Sequence, residues 1–411
     1  MFVCRKTCRG ELTVRAIIVG GGIAGSASAM ALQAVGVEST VLEARPEGVG
    51  AGSWFTVAPN GVAALQEIGA LEAVRAIGVP TRSNIMVGAT GAAIGSVGLG
   101  RPLSDGTPAL SFRRPELAAA LNAEAVRRGI DVRYASQVSA VRTTSTSASV
   151  VLAGGEELEA DFVLGADGIH SLVRRCIDPH APSARYLGLA NFGGITRNTR
   201  HSATLQPEAW TFVFGRRAFF GALPTPEGDV VWFVNEPRPP ISRSERAATT
   251  DADWVSHLQG LAASDAGPFA DLIGASELQL AGDSTFDLPR VPMWSRGRLA
   301  LIGDSIHAPS PSSGQGASMA LEDAVVMAAC IDESRGALSA AFAAFESRRR
   351  RRVEKIVAQG ARSSSTKTPG PVARRVQDHI LRLVFRHIVT EKSQAWVFDY
   401  RPRLHTAHRT P

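Results

Sequence analysis

Three groups of residues have the types and spacing to do chemistry together. Gly20, Gly22 and Gly25 form a GxGxxG turn in IVGGGIAGSASA, with Ile23 and Ala24 inside it. The first glycine permits a tight turn, the second lets backbone approach a pyrophosphate, and the third lets a helix pack on a sheet with the phosphate at its N-terminus. Glu43 follows about twenty residues on, where an acid binds ribose hydroxyls and repels a 2′-phosphate. The nucleotide this pattern holds is NAD or FAD. The second group is GADGIHSLVRR, residues 165–175, in which Asp167 and Gly168 end an apolar run and a helix carries Ser171, Arg174 and Arg175. An aspartate alone at such a point reads as a helix cap. The third is LIGDSIHAPSPSSGQGASMALEDA, residues 301–324, which repeats the strand-end acid as Gly303-Asp304 and then passes Pro311, Gly314, Gln315, Gly316 and Ala317. A helix beginning there offers free N–H groups and a positive dipole end, which suit the negative charge of a reduced flavin at N1 and the C2 carbonyl.

These residues need elements to position them. Residues 14–44 predict strand 16–19, a tight turn, helix 27–35 and a second parallel strand in VESTVLEA, a βαβ unit. Residues 59–79 and 115–130 read as helices, the latter with Pro115 in its first turn and Gly129 as its stop. DVRYASQVSAVRTT and SASVVLAGGEELEADFVLGADG read as strands of a small sheet that ends in the buried run DFVLGA. From 181 to 288 the chain turns β-rich and aromatic, with PTPEGD as a hairpin turn; RLALIGDS is then a buried strand and 315–330 a helix. The fold class expected is α/β: a discontinuous Rossmann-like cofactor domain with an inserted β-sheet substrate domain and C-terminal helices. The boundaries expected are 13–75, 106–180 and 286–350 for the first, 76–105 and 181–285 for the second, and 351–411 for a helical tail.

Composition narrows the function. The chain has 411 residues, 45% hydrophobic and 20% charged, enough for two domains and too apolar for disorder. Its net charge of +6 is mostly arginine spread along the chain, and the run Arg348 to Arg352 reads as a solvated helix end, so no nucleic-acid partner is expected. Lysine occurs only at Lys6, Lys355, Lys367 and Lys392, which excludes a mechanism that needs one in the main fold. Cys4, Cys8, Cys176 and Cys330 make no CxxC, so neither a metal site nor a redox disulfide is expected, and a cytoplasmic location fits. The glycines in 16–37 argue against a membrane span, and residues 1–12 read as dispensable. The amphipathic segment VQDHILRLVFRHIV, 376–389, is expected to dock on the protein itself or on a second subunit rather than a membrane.

Taken in order, the GxGxxG with LEAR, the GADGIHSLVR motif and GDSIHAPSPSSGQG followed by ALEDA resemble the class A, single-component FAD monooxygenases of the para-hydroxybenzoate and salicylate hydroxylase type. FRRPELAAAL is similar to that family's Arg-x-x-Leu helix start, and the likeness spans about residues 14 to 350. The resemblance implies FAD as cofactor, NADH or NADPH as reductant, and O2 taken up at flavin C4a, from which a hydroperoxide delivers one oxygen to an aromatic or electron-rich small molecule. By the same resemblance Glu43 binds the adenosine ribose, with Ala44 and Arg45 beside it, and Ala51 and Gly52 lie in a loop next to the ring. Arg114, rather than Arg113, contacts the flavin; Asp167 sits near the pyrophosphate; Asp304 binds the ribityl chain. Pro311 lines the flavin face where oxygen reacts, and Gly314 to Gly316 cover the N1/C2 edge; Pro311 and Gly314 are the catalytic candidates. Ser305-Ile306 departs from the family's usual pair of alanines. Phe214, Phe220 and Trp232 are the substrate-pocket candidates, while His170 and His307 read as packing or hydrogen-bonding residues rather than acid–base catalysts. An olefin epoxidase or a flavoprotein dehydrogenase would keep all three motifs. Monomer and homodimer are equally compatible with the sequence.

Overall fold

Ala16 to Val19 are buried, as a strand covered on both faces requires, and strand Arg15–Val19 pairs in parallel with Glu38–Leu42 on one side and Phe162–Gly165 on the other. Parallel neighbours need a crossover, which helix Ile23–Ala34 supplies. The computed structural model describes residues 14–48, 50–288, 290–365, 385 and 391–404. In it these strands belong to a six-stranded sheet ordered Ser295–Arg296, Leu299–Leu301, Phe162–Gly165, Arg15–Val19, Glu38–Leu42 and Asp131–Arg133. Three distant parts of the sequence therefore build one sheet, and both strand-end acids, Asp167 and Asp304, follow neighbouring strands. The small sheet expected between 131 and 165 divides: its two ends join the parallel sheet, and only Val138–Thr143, Ala148–Leu152 and Glu157–Ala160 form a separate antiparallel sheet.

A seven-stranded sheet contains Ser83–Gly88, Ala93–Gly98, Arg185–Thr196, Ala209–Phe214, Phe219–Pro224, Val230–Pro237 and Glu277–Asp287. It is antiparallel except where Ala209–Phe214 meets Ser83–Gly88. The insertion is β-rich, as the sequence reads, and also carries helices that the sequence reading did not single out. Helices Asp251–Ala262 and Phe269–Gly274 cover one face, and Thr250 with Asp253 forms the capping box that starts the first of them. The other face turns towards a three-stranded bridge of Trp54–Val57, Ala109–Arg113 and Val79–Thr81. Trp210 fastens the two, its Nε1 donating to Thr56 Oγ1 and Ser111 Oγ, both at 3.0 Å.

The arginine run is also not a solvated helix end. It lies inside the long helix Leu338–Ser365, and Arg349 is fully buried between Glu322 and Asp323 of helix Gly316–Glu333. The sequence hid this because both partners are contributed by another helix. Segment 376–389 lies outside the described residues except for Phe385. Among the described residues no helix is long and apolar enough to cross a membrane.

Candidate active site

The first glycine turn is built by exclusion. Gly20 has φ 107°, and a Cβ there would lie 2.4 Å from the Ala166 carbonyl oxygen. A Cβ on Gly25 would fall 1.8 Å from the carbonyl oxygen of Gly20, whereas one on Gly22 would meet nothing within 4 Å. The open side of the turn is thus at Gly22, which begins helix Ile23–Ala34 with no side-chain cap. Its first N–H groups face that side, as an anion site requires. Asn122 clamps the turn from helix Arg114–Arg127: its Nδ2 donates to the Gly21 carbonyl at 2.8 Å, and its Oδ1 accepts from Ser26 Oγ at 2.6 Å. Nothing local in the sequence signalled Asn122.

Glu43 is held from both sides, with Oε2 accepting from Gly21 N at 2.8 Å and Oε1 from Arg45 N at 2.9 Å. Each oxygen keeps a further lone pair for a hydroxyl donor. Ala44 and Arg45 are exposed beside it.

Asp167 is placed differently from its neighbours. Its carboxylate accepts from Ser171 Oγ at 2.5 Å, Leu172 N at 2.6 Å and Val173 N at 3.1 Å, so its side chain caps helix Leu172–Ile177. Burial pushes this carboxyl above the ordinary value, against those hydrogen bonds, which favour the ionised form. Arg174 in the same helix is buried; its Nη1 donates to the Ser305 carbonyl at 3.0 Å and its Nη2 to the Ile169 carbonyl at 2.7 Å. Ser305 Oγ donates back to the Gly165 carbonyl at 2.8 Å. The two strand-end motifs are therefore tied together, and the serine that departs from the family pattern makes one of the ties.

Gly303 approaches the first turn closely, since a Cβ on it would lie 3.0 Å from Ala24 Cβ. Asp304 Oδ2 accepts from Arg114 Nη2 at 3.1 Å across 190 positions. Arg113 turns elsewhere, to Glu116 at 3.2 Å and the Gly50 carbonyl at 3.1 Å. The loop 50–53 is seated by Arg114 N, which donates to the Ser53 carbonyl at 3.0 Å, and by Gly52, which lies against Pro115. Pro311 and Gly314 are exposed, and Gly314 adopts the left-handed conformation, φ 59°, that turns the chain into helix Gly316–Glu333. That helix also lacks a side-chain cap; a Cβ on Gly316 would stand 3.8 Å from Asp304 Oδ1. Ala317 is half-buried in its first turn.

Behind this helix lies a buried charge network. His307 Nε2 meets Asp323 Oδ2 at 2.5 Å, Arg349 Nε donates to Asp323 Oδ1 at 2.7 Å, and Arg349 Nη1 lies 2.5 Å from Glu322. Burial alone would raise the Asp323 carboxyl, but His307 and Arg349 hold it below the usual carboxylate range. Asn60 Nδ2 donates to Glu322 Oε1 at 2.6 Å and to Gln315 Oε1 at 3.0 Å, fixing the residue that precedes the helix.

The three substrate candidates separate by strand register. Phe220 and Trp232 are fully buried under the two covering helices, in the cluster with Phe192 and Leu272, on the face of the sheet turned away from loop 50–53. Phe214 alternates to the opposite face. There it meets Phe219, with ring centres 5.2 Å apart, and Phe219 meets Phe212 and Phe233 at 5.5 and 6.0 Å. A Cβ on Gly193 of this face would lie 3.6 Å from Ser53 Cβ, so the aromatic platform adjoins the loop.

Two uncapped helix starts, a ribose-ready acid and an Arg–Asp pair on one side fit a dinucleotide carrying a flavin. Comparison with known proteins agrees. A family described as FAD binding domain matches residues 13–360. The FAD-dependent urate hydroxylase of Klebsiella oxytoca is 28% identical over 355 residues, covering 84% of this chain and 88% of the relative. The 3-amino-4-hydroxybenzoate 2-monooxygenase of Streptomyces platensis is 32% identical over 330 residues, covering 76% and 78%. The solved structure of Klebsiella pneumoniae HpxO with FAD and uric acid, 24% identical, superposes with a TM-score of 0.76 over 90% of this chain and 93% of that one, a likeness of fold. The chain belongs to the FAD binding domain family and is an FAD-dependent monooxygenase of the single-component hydroxylase type.

Proposed function

We propose that this monooxygenase takes electrons from NADH or NADPH and, with O2, inserts one oxygen atom into an aromatic or otherwise electron-rich small molecule. Bound FAD supplies the redox and oxygen-activating chemistry. The chain supplies position, charge and exclusion of water. In this reading the Gly20 to Gly25 turn, with Ile23 and Ala24, takes the pyrophosphate, and Asp167 and Gly168 brace it from behind. Glu43 takes the adenosine ribose between Ala44 and Arg45. Asp304 and Gly303 take the ribityl chain, Arg114 reaches the flavin, and Ala51 and Gly52 flank the ring. The uncapped helix start at Gln315, Gly316 and Ala317, with Gly314, stabilises negative charge at the N1/C2 edge, and Pro311 shields the reacting face.

Residues 13–75, 106–180 and 286–350 are proposed as the cofactor domain, and 76–105 with 181–285 as the substrate domain. The substrate stacks on Phe212, Phe214, Phe219 and Phe233, whose faces suit a flat ring. The observation that carries the reading is the Arg114–Asp304 contact, which brings the helix start at 114 and the Gly303 loop to one place beside Gly316.

The test is nicotinamide oxidation by the FAD-loaded protein in air with a panel of phenols, aromatic acids and heteroaromatics. A compound that accelerates oxidation and gains one oxygen supports the reading. Oxidation that continues under nitrogen with no product gaining mass overturns it in favour of a dehydrogenase.

A further inference from the structure

Next to the aromatic platform, on the same face of the seven-stranded sheet, two asparagines stand opposite each other. Asn191 and Asn235 are cross-strand partners, and Asn235 Nδ2 donates to Asn191 Oδ1 at 3.0 Å. Asn235 is in turn the cross-strand partner of Phe219. The alternation of a strand puts Asn191, Gly193 and Ile195 on one side, and Gly193 is the residue that abuts Ser53 in the loop assigned to the ring. One mutual hydrogen bond leaves each amide with unused capacity. No other side-chain bond to either amide occurs among the described residues, and neither amide is among the sealed, unsatisfied atoms. The pair therefore presents an N–H donor and a carbonyl acceptor side by side, whichever way round the two amides are set. The phenylalanines beside it, Phe212, Phe214, Phe219 and Phe233, carry no charge, and the charged neighbour of the pair is Asp283, the cross-strand partner of Asn191 on its other side, to which Arg246 is committed at 3.7 Å.

We propose that the Asn191–Asn235 pair is the polar recognition element of the substrate site, and that it selects a neutral aromatic heterocycle with a lactam edge. Such an edge offers one N–H and one C=O in the complementary order, and its ring stacks on the phenylalanines. A carboxylate would be desolvated there beside Asp283, whose partner Arg246 is already taken. The inference rests on the placement of the FAD ring beside residues 50–53 given above.

The experiment titrates the FAD-loaded protein with three bicyclic probes of similar size, 2-quinolone, quinoline and 2-naphthoate, following the flavin absorbance. Binding of 2-quinolone about tenfold or more tighter than either other probe is expected, the scale of one well-made hydrogen bond in a desolvated site. Asn191→Ala and Asn235→Ala should each bring that ratio close to one in protein that still holds FAD. Preference for 2-naphthoate, binding of none of the three, or an unchanged ratio in Asn191→Ala overturns the proposal. The wild-type ratio decides even where a variant fails to fold. Absence of FAD binding by the wild-type chain would instead overturn the cofactor placement, which the flavin content reads separately.

Discussion

Arg114 and Asp304 meet at 3.1 Å although 190 positions separate them, and their side chains keep 65% and 26% of their exposure. A pair so wetted contributes little to stability. Its use is to leave an arginine and a carboxylate side by side, each with unspent hydrogen-bonding capacity, at the start of two helices.

Asp304→Ala should therefore lose FAD without losing the fold. Loss of one charge-assisted hydrogen bond in a binding site is worth about 1.5–3 kcal/mol, or roughly 10- to 100-fold in affinity. Fluorescence titration of the apoprotein measures it; full flavin content with normal affinity would move the ribityl site elsewhere.

The two glycines of the first turn should fail differently. Gly22→Ala adds a Cβ on the open side and should weaken FAD binding while the melting temperature of the apoprotein stays near wild type. Gly25→Ala drives a Cβ to within 1.8 Å of the Gly20 carbonyl oxygen and should destabilise the apoprotein itself. Thermal melts with and without FAD separate the two effects.

Arg349→Met takes the fully buried cation away from Glu322 and Asp323, leaving them Arg352 and His307 as their remaining charged partners, and should cost about 3–5 kcal/mol. Asp323, held below the usual range, contributes stability that is present above the ordinary carboxylate pKa of about 4 and is lost as pH falls through its depressed folded value. Denaturant melts between pH 7 and 3 should show a flatter acid limb for Asp323→Asn than for wild type.

On the seven-stranded sheet, neighbouring aromatics should behave as opposites. Phe220→Ala removes a fully buried ring and should cost about 3–5 kcal/mol in a denaturant melt. Phe233→Ala, on the platform, should raise KM for the substrate several-fold while FAD stays bound.

What the sequence disclosed was local. Gly20, Gly303 and Gly314 were legible as special backbone, since each takes a positive φ that glycine adopts without strain. Phe220 and Trp232 were misplaced because a one-residue difference in register moves a side chain to the other face, and the dipeptide Phe219-Phe220 looks alike from either side. The partners Asn60, Asn122 and Arg349 are joined to the site by contacts between remote helices, which no short motif records. The helix Asp251–Ala262 did carry a signal, the Thr250–Asp253 capping box, inside a region read only as β-rich in general.

The most direct test is turnover of the FAD-loaded protein with NADH or NADPH under 18O2, with product masses recorded for the best substrate of the panel. One labelled oxygen atom per product, with the remainder of the O2 reduced to water, is the predicted result. Product formed without label, or at an undiminished rate once O2 is removed, would contradict a monooxygenase.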